Sequence, residues 1–279
     1  MRVSKSAETD SERVGTMREG TLDQKHLLFG EDGSPNNFDL NMGLTGSGGW
    51  GTPRHRHNFD QIRYVIEGRL PYTEEDVLEQ GWVGYFPESV YYGPQARAEG
   101  LRTMVLQAGG ASGGGYLSVA QREAGNAELA KTGEFKKGLY HYTDANGEAQ
   151  TIDGSQAIFE HATGRKLEFA TPRYQDVIAM NPEAYDWLPS ADQGVSQKWL
   201  GSFTERNLRI GFLKLEAGAV YQAGQHPSIE ILFQIKGKVT AGGEKYGPET
   251  GYEFLANEGP VPLEAIEPTE FLRAVLHTF

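Results

Sequence analysis

Two imidazoles and a carboxamide stand together early in the chain: one residue separates His55 from His57, and three separate His57 from Gln61. Neutral imidazole nitrogens and an amide oxygen are ligands for a divalent first-row metal, and an imidazole can also move a proton near neutral pH. On a strand alternate residues share a face, so His55 and His57 are expected to aim at one point inside a barrel, with Gln61 joining them from the next strand. Arg63 lies two residues beyond Gln61 and should share its inward face. There it would pair with a substrate carboxylate in bidentate fashion, or it would sit at the barrel mouth held by a surface acid. Arg102 has the same two readings, and Arg56, between the histidines, should face away from them.

The elements that must position these groups are short strands. The 279 residues include 36 Gly and 13 Pro, with 38% apolar and 11% aromatic residues, which favours strands joined by tight turns around a substantial core. Residues 1–20 are polar and unpatterned and read as a flexible arm. A first strand-rich block spans 21–108 and a second spans 197–279. Between them, 109–196 forms a connector that opens on a glycine-rich run, Gly109-Gly110-Ala111-Ser112-Gly113-Gly114-Gly115. Leu117, Ala120, Ala124, Ala127 and Leu129 then recur at helical spacing within 116–132. Further on, Asn146-Gly147 and Asp153-Gly154 signal turns, and Asn181 can cap a short helix with Pro182 in its first position. The expected fold class is all-β with a short helical and loop insert.

The two blocks repeat. Gly49, five residues, His55-x-His57, three residues, Gln61, six residues, Gly68 is matched at every spacing by Gly218, Gly224-x-His226, Glu230 and Gly237. Each block then has a second module: Gly81, Pro87-Glu88-Ser89 and Tyr92 in the first, and Gly251, Asn257-Glu258-Gly259 and Pro262 in the second. This pattern resembles the cupin superfamily, whose motifs read G(x5)HxH(x3-4)E(x6)G and G(x5)PxG(x2)H(x3)N, and the doubled match resembles a bicupin. The resemblance implies two antiparallel β-barrels of jelly-roll, double-stranded β-helix type, each able to hold a metal and a small molecule. It implies no single reaction.

The departures from that pattern shape the functional reading. Gln61 stands at the glutamate position and Tyr92 at the second-motif histidine position, so the implied metal set is His55, His57, Gln61 and Tyr92. Iron or manganese is favoured, and nickel or zinc is also acceptable to such donors. The second block keeps His226 and Glu230 of the ligand set and reads as metal-free and mainly structural, or as an acid–base pair. Trp82, Tyr85, Phe86, Tyr91 and Tyr92 form core or line an apolar pocket. His26, His141, His161 and His277 have no ligand spacing and read as structural or surface residues, although 133–171 could carry His141 or His161 over a barrel mouth.

A formal charge of −12, from 38 acidic and 26 basic residues, argues against nucleic acid as a partner. The absence of cysteine excludes disulfides and thiolate chemistry. Without an apolar run of membrane-spanning length or a secretion signal, the expectation is a cytoplasmic protein, with a homodimer as the expected assembly. The leading functional expectation is an Fe(II) or Mn(II) cupin oxygenase acting on a small aromatic or carboxylate-bearing molecule. In it Tyr92 ligates the ion or transfers a proton, and Arg63 anchors an acid group. The alternatives are a lyase or isomerase, with or without a metal, and a non-catalytic bicupin that binds a small ligand.

Overall fold

Strict alternation along three neighbouring strands sets the architecture. In Phe38–Thr52, Phe59–Glu67 and Arg102–Gly109 one face carries Phe38, Leu40, Met42, Ile62, Met104 and Leu106. These pack in one apolar core with Ile210, Phe212, Ile231, Phe233, Leu272 and Ala274 from the second half of the chain. The opposite face of the same strands carries Asp39, Asn41, Gln61 and Arg63, all buried. Two β-structures therefore press their apolar outer faces together, and the first of them turns polar side chains into its own interior.

The computed structural model describes residues 1–14, 19–136 and 138–279. Among these, an eight-stranded antiparallel sheet orders Ile178–Met180, Val83–Phe86, Phe59–Glu67, Arg102–Gly109, Phe38–Thr52, Glu19–Phe29 and Glu12–Arg13, with Gln95–Arg97 also on Phe38–Thr52. A nine-stranded sheet orders Arg2–Lys5, Thr250–Phe254, Glu230–Ala241, Val261–Val275, Leu208–Leu215, Val195–Phe203 and Leu188–Pro189, with Val220–Ala223 and Glu244–Tyr246 attached. The fold is thus all-β, two cupin-type antiparallel jelly-roll barrels, as expected. The glycines that close the first motif of each block, Gly68 and Gly237, have φ of 87° and 84°. Only glycine enters that region without strain, which accounts for their matched places in the repeat.

Three expectations are corrected. The N-terminal arm is not unstructured where it is described: Arg2–Lys5 pairs with Thr250–Phe254 of the second barrel and Glu12–Arg13 with Glu19–Phe29 of the first. Part of that call, at 15–18, lies outside the described residues. The connector holds more order than its turn signals suggested. Helix α1, Val119–Leu129, is capped by Ser118 with a reciprocal Gln121 contact, and a second helix, α2, Gly154–Thr163, is capped by Asp153, read above as a turn residue. A three-stranded sheet fills the space between these helices in the chain, and Ile178–Met180 returns to the first barrel's sheet. Pro182–Ala184 is a single 3-10 turn capped by Asn181. The third correction concerns His55 and His57, which lie between Phe38–Thr52 and Phe59–Glu67 rather than on a strand. Among the described residues no helix is long and apolar enough to cross a membrane.

Candidate functional site

The loop carrying the histidines is fixed to the second motif by backbone pairing. His55 N–H donates to Tyr92 O at 2.9 Å, Tyr92 N–H donates to His55 O at 3.0 Å, and Ser89 N–H donates to His57 O at 2.7 Å. Bridging, not strand alternation, therefore brings the three rings together. The His55 and His57 ring centroids are 4.9 Å apart at 88°, and the Tyr92 centroid lies 4.4 Å from His55 and 5.9 Å from His57. His55 Nδ1 lies 2.7 Å from Pro53 O, and because a carbonyl only accepts, Nδ1 carries the proton of that contact.

Both half-buried imidazoles line a cavity of about 630 Å³. The connector forms much of its wall, including Val119 and Arg122 of α1 and Ile158 and Phe159 of α2. Aromatic contacts extend inward from His57: its ring stands 4.5 Å from Phe59, which stands 5.0 Å from Tyr116. At the rim the Arg54 guanidinium lies over Tyr91 at 4.3 Å, and that of Arg56 over Tyr91 at 4.8 Å and Phe169 at 3.9 Å. Tyr91 therefore lines the cavity. Tyr85 faces the core between the barrels, and Phe86 and Tyr92 belong to the apolar cluster inside the first barrel, with Trp82 packed against it.

Behind Tyr92 the interior is polar. Gln61 Oε1 accepts from Arg63 Nε at 2.9 Å, from Arg63 Nη2 and from the Tyr92 hydroxyl at 3.3 Å. Arg63 Nη2 also donates to the Tyr92 oxygen at 3.0 Å, and Arg63 Nη1 donates to Gln95 Oε1 at 3.3 Å. Burial pushes the Arg63 pKa down, and the Tyr92 oxygen opposes that shift. Arg63 thus shares the inward face of Gln61 as expected, but it is held by neutral groups rather than by a surface acid. Arg102 has the other outcome: it bonds to Glu249 of the second barrel and lies 3.7 Å from Glu67.

His26, read as structural from the sequence, also lines the cavity. Its Nδ1 is 2.9 Å from the carboxylate of buried Asp39, whose other oxygen accepts from Asn41 at 2.9 Å. The Asp39 carboxylate, which only accepts, fixes a His26 proton on Nδ1. A signal for this was present: Phe38-Asp39-Leu40-Asn41-Met42 alternates strictly, with both polar residues on one face. His141 bonds to Thr151 within the connector sheet, and His161 lies in the last turn of α2. His277 is fully buried, 3.2 Å from Asp60 of the first barrel.

The second barrel is filled differently. Leu213, Leu215, Leu232, Tyr252, Phe254 and Phe271 form a hydrocarbon interior. Glu230, fully buried, accepts from Arg273 Nε at 2.8 Å, from the Tyr221 hydroxyl at 2.7 Å and from Gly224 N–H at 2.9 Å. Arg273 also donates to His226 Nε2. Burial lowers the His226 pKa; Glu230 opposes this and Arg273 reinforces it. Gly224, in the place of a motif histidine, has φ of 75°, and a Cβ there would lie 3.1 Å from Gly259 N. A histidine would be strained there, so backbone geometry has removed one ligand and a guanidinium occupies the space beside another.

The same test applies to a metal in the first barrel. Gln61 Oε1 already receives three donors, more than the two lone pairs of a carboxamide oxygen. An ion about 2.1 Å from that oxygen would lie within about 5 Å of the Arg63 guanidinium. At an effective dielectric of about 20, a divalent ion and a guanidinium at that separation repel by about 7 kcal/mol. Among the described residues no three His, Asp or Glu side chains gather as ligands. With the Gln61 oxygen and the Tyr92 hydroxyl both committed to Arg63 and to each other, the set of His55, His57, Gln61 and Tyr92 does not, as arranged, fit a retained ion.

No family model matches the sequence, and no curated protein is significantly similar to it. Solved structures do match in fold. A candidate dioxygenase from Nostoc punctiforme aligns over 100% of this chain and 83% of its own, with a TM-score of 0.63 and 12% identity. Oxalate decarboxylase from Bacillus subtilis aligns in several variants over 100% of this chain; for one of them the coverage of the decarboxylase is 78%, the TM-score 0.58 and the identity 14%. At such identity the likeness is one of architecture: the chain has a cupin-type fold with two barrels.

Proposed function

We propose that this protein is a cupin-type enzyme whose chemistry takes place in the first barrel, by proton transfer to and from a small organic molecule held in the connector-walled cavity. The observation that carries this reading is the asymmetry of the duplicated barrels. One interior is packed with hydrocarbon around a neutralised Glu230–Arg273 pair, and the other presents two imidazoles to a cavity of about 630 Å³. His55, oriented by its Nδ1 bond to Pro53 O, accepts a proton from the substrate through its other ring nitrogen. Tyr92, whose ring packs on His55 and whose hydroxyl lies between Arg63 and Gln61, supplies or relays one. His57 stands beside it at a cavity whose walls combine aromatic and aliphatic side chains, such as Phe59 and Phe159, with charged and polar ones, such as Arg122, Glu123 and Gln156.

Among cupin reactions this geometry favours the redox-neutral lyase or isomerase type over the metal-dependent oxygenase, because Gln61 is engaged by Arg63. The test is turnover of a panel of small aromatic and aliphatic compounds, followed by mass spectrometry. A compound converted by the wild type should be converted at least about a hundredfold more slowly by the His55→Ala and Tyr92→Phe variants. It should be converted at the wild-type rate by His226→Ala. Dependence on His226 with indifference to His55 would overturn the assignment to the first barrel.

A further inference from the structure

His26, His55 and His57 all line the cavity, and the reading above gives work only to the last two. His26 comes from a separate element, the strand Glu19–Phe29. The pairing of that strand with Phe38–Thr52 slips between His26 and Leu28, because His26 stands opposite Asn41 and Leu28 opposite Leu40. Leu27 is thus the extra residue of a β-bulge. Leu27 and Leu28 both enter the apolar core, and His26 stays beside Asn41 on the polar inward face.

Behind the His26 ring lies Asp39. The imidazole is 11% exposed and the carboxylate 1%, so the ring reaches the cavity and the acid does not. Asp39 accepts from His26 Nδ1 and from Asn41 Nδ2, each at 2.9 Å, and from the Tyr116 hydroxyl at 3.5 Å. A buried carboxylate held in this way orients the ring and stabilises the imidazolium that forms when the ring takes up a second proton. Contacts along one wall join this dyad to the other histidines: Tyr116 meets Phe59 at 5.0 Å, and Phe59 meets His57 at 4.5 Å. A molecule that covers Phe59 and Tyr116 therefore meets imidazoles carried by two separate elements.

We infer that His26 is a second catalytic proton-transfer residue of this cavity, with Asp39 as its positioning residue, and that the reaction is the prototropic isomerisation of an uncharged aromatic carbonyl compound. This deepens the functional proposal above and rests on its placing the working site in the first barrel. His55 and Tyr92 already supply the base and the acid that an elimination requires. A further imidazole backed by its own carboxylate supplies what isomerisation needs in addition, the return of a proton to a second carbon. In a β,γ-unsaturated ketone, His55 takes a proton from the carbon between the carbonyl and the alkene, and the C–H electron pair passes to the carbonyl oxygen as a dienolate, which Tyr92 stabilises by hydrogen bonding. As the carbonyl re-forms, the double bond moves one carbon toward it and the far carbon takes a proton from the His26 imidazolium. One C–H bond breaks, one forms, and no electron is gained or lost. Exchange with water then resets the two imidazoles. The lining mixes Glu12, Glu123 and Asp153 with Arg13, Arg54 and Arg122 and so favours neither sign of charge, while Phe59 and Tyr116 suit a ring.

Incubation of the full-length protein with allyl phenyl ketone tests this, since proton NMR resolves the terminal alkene of that compound from the new methyl group of its conjugated isomer. The wild type should convert it. His26→Ala should slow conversion at least about a hundredfold, and added free imidazole should restore at least about tenfold of the loss. Asp39→Asn should lower kcat at least about tenfold with KM within about twofold of the wild type. His26→Gln, which keeps a donor for Asp39, should be as slow as His26→Ala and serves if the alanine variant does not fold. Wild-type rates in either His26 variant, or a loss in His26→Ala that imidazole leaves untouched, would overturn the inference. His55→Ala separates it from the broader reading. Loss of turnover in His55→Ala with wild-type rates in both His26 variants removes the role of His26 alone, and the reverse removes that of His55 alone. A wild type that leaves allyl phenyl ketone intact but converts another compound with dependence on His55 removes the isomerase inference and keeps the broader one.

Discussion

Glu230→Gln is the most informative single perturbation, because it converts the second barrel's charge balance into that of the first. Glu230 is fully buried, and the Arg273 side chain is 5% exposed, so solvent screens the pair little. Over the 2.8 Å between Arg273 Nε and Oε1, an effective dielectric of about 20 gives an attraction of about 6 kcal/mol. A carboxamide oxygen recovers part of this by accepting the same bonds. Its NH2 group, however, faces the Gly224 N–H that now bonds to the second carboxylate oxygen at 2.9 Å, leaving a buried donor unsatisfied. The net expected loss is about 4 kcal/mol, near a thousandfold in the folding constant. Guanidinium denaturation followed by circular dichroism and by tryptophan fluorescence measures it. Because one apolar core is shared between the barrels, both probes should report a single transition. Glu79→Gln, which disrupts an exposed pair with Arg69, is the control and should leave the denaturation midpoint close to that of the wild type. A loss below about 1 kcal/mol for Glu230→Gln would show that the buried guanidinium tolerates a neutral partner, and the contrast drawn between the two barrels would fail.

Three further outcomes are expected. Dialysis against EDTA should leave turnover by the first barrel unchanged, and elemental analysis should find well under one metal ion per chain, because Gln61 already serves Arg63 and Tyr92. Arg173 joins buried Glu88 of the first barrel, at 2.6 Å, to Glu205 of the second, so Arg173→Ala should cost about 1–2 kcal/mol in denaturation: Glu88 loses its counter-charge but keeps the Ser112 N–H and hydroxyl at 2.9 and 2.6 Å. The hydrogen bond from Arg173 holds the Glu205 pKa down to about 2. Its contribution is therefore complete above the unfolded value of about 4.3 and lost as the pH falls toward 2, and the Arg173→Ala variant should show a shallower acid limb in a pH series. Burial with Arg273 lowers the His226 pKa, so the unfolded chain binds its proton first. Stability should decline as the pH falls through about 6.5, and His226→Gln should remove that component from a melting-temperature profile.

Much of the architecture was legible because a two-residue period and a repeated motif are local signals. Phe38-Asp39-Leu40-Asn41-Met42 declares two faces without reference to anything else, and Gly68 and Gly237 mark equivalent turns by their shared need for positive φ. The convergence of His55, His57 and Tyr92 was also legible, although a bridge between loops produces it rather than a strand. What escaped was non-local. Arg273 lies 43 residues from Glu230, and Gln95 lies 32 residues from Arg63, with no spacing rule connecting either pair. Asp39 lies 13 residues from His26 on an adjacent strand, so the dyad emerges only from register. Helix α2 was hidden because Asp153 has the same preference for a helix cap as for a turn, and the edge strand Arg2–Lys5 is too polar to announce itself.

That edge strand has a bearing on how the molecule comes into being. Arg2–Lys5 hydrogen-bonds along Thr250–Phe254, so this strand finds its partner only after the whole first barrel and most strands of the second have been made. During synthesis on the ribosome this strand must wait while the first barrel forms, then dock onto the second barrel as a latch. Fragments that separate the halves would lack this closure at one end and expose the apolar face of Phe38, Leu40 and Met42 at the other. The duplication has thus tied a barrel packed with hydrocarbon to one whose histidines face a cavity, and each is the surface against which the other's apolar face is held.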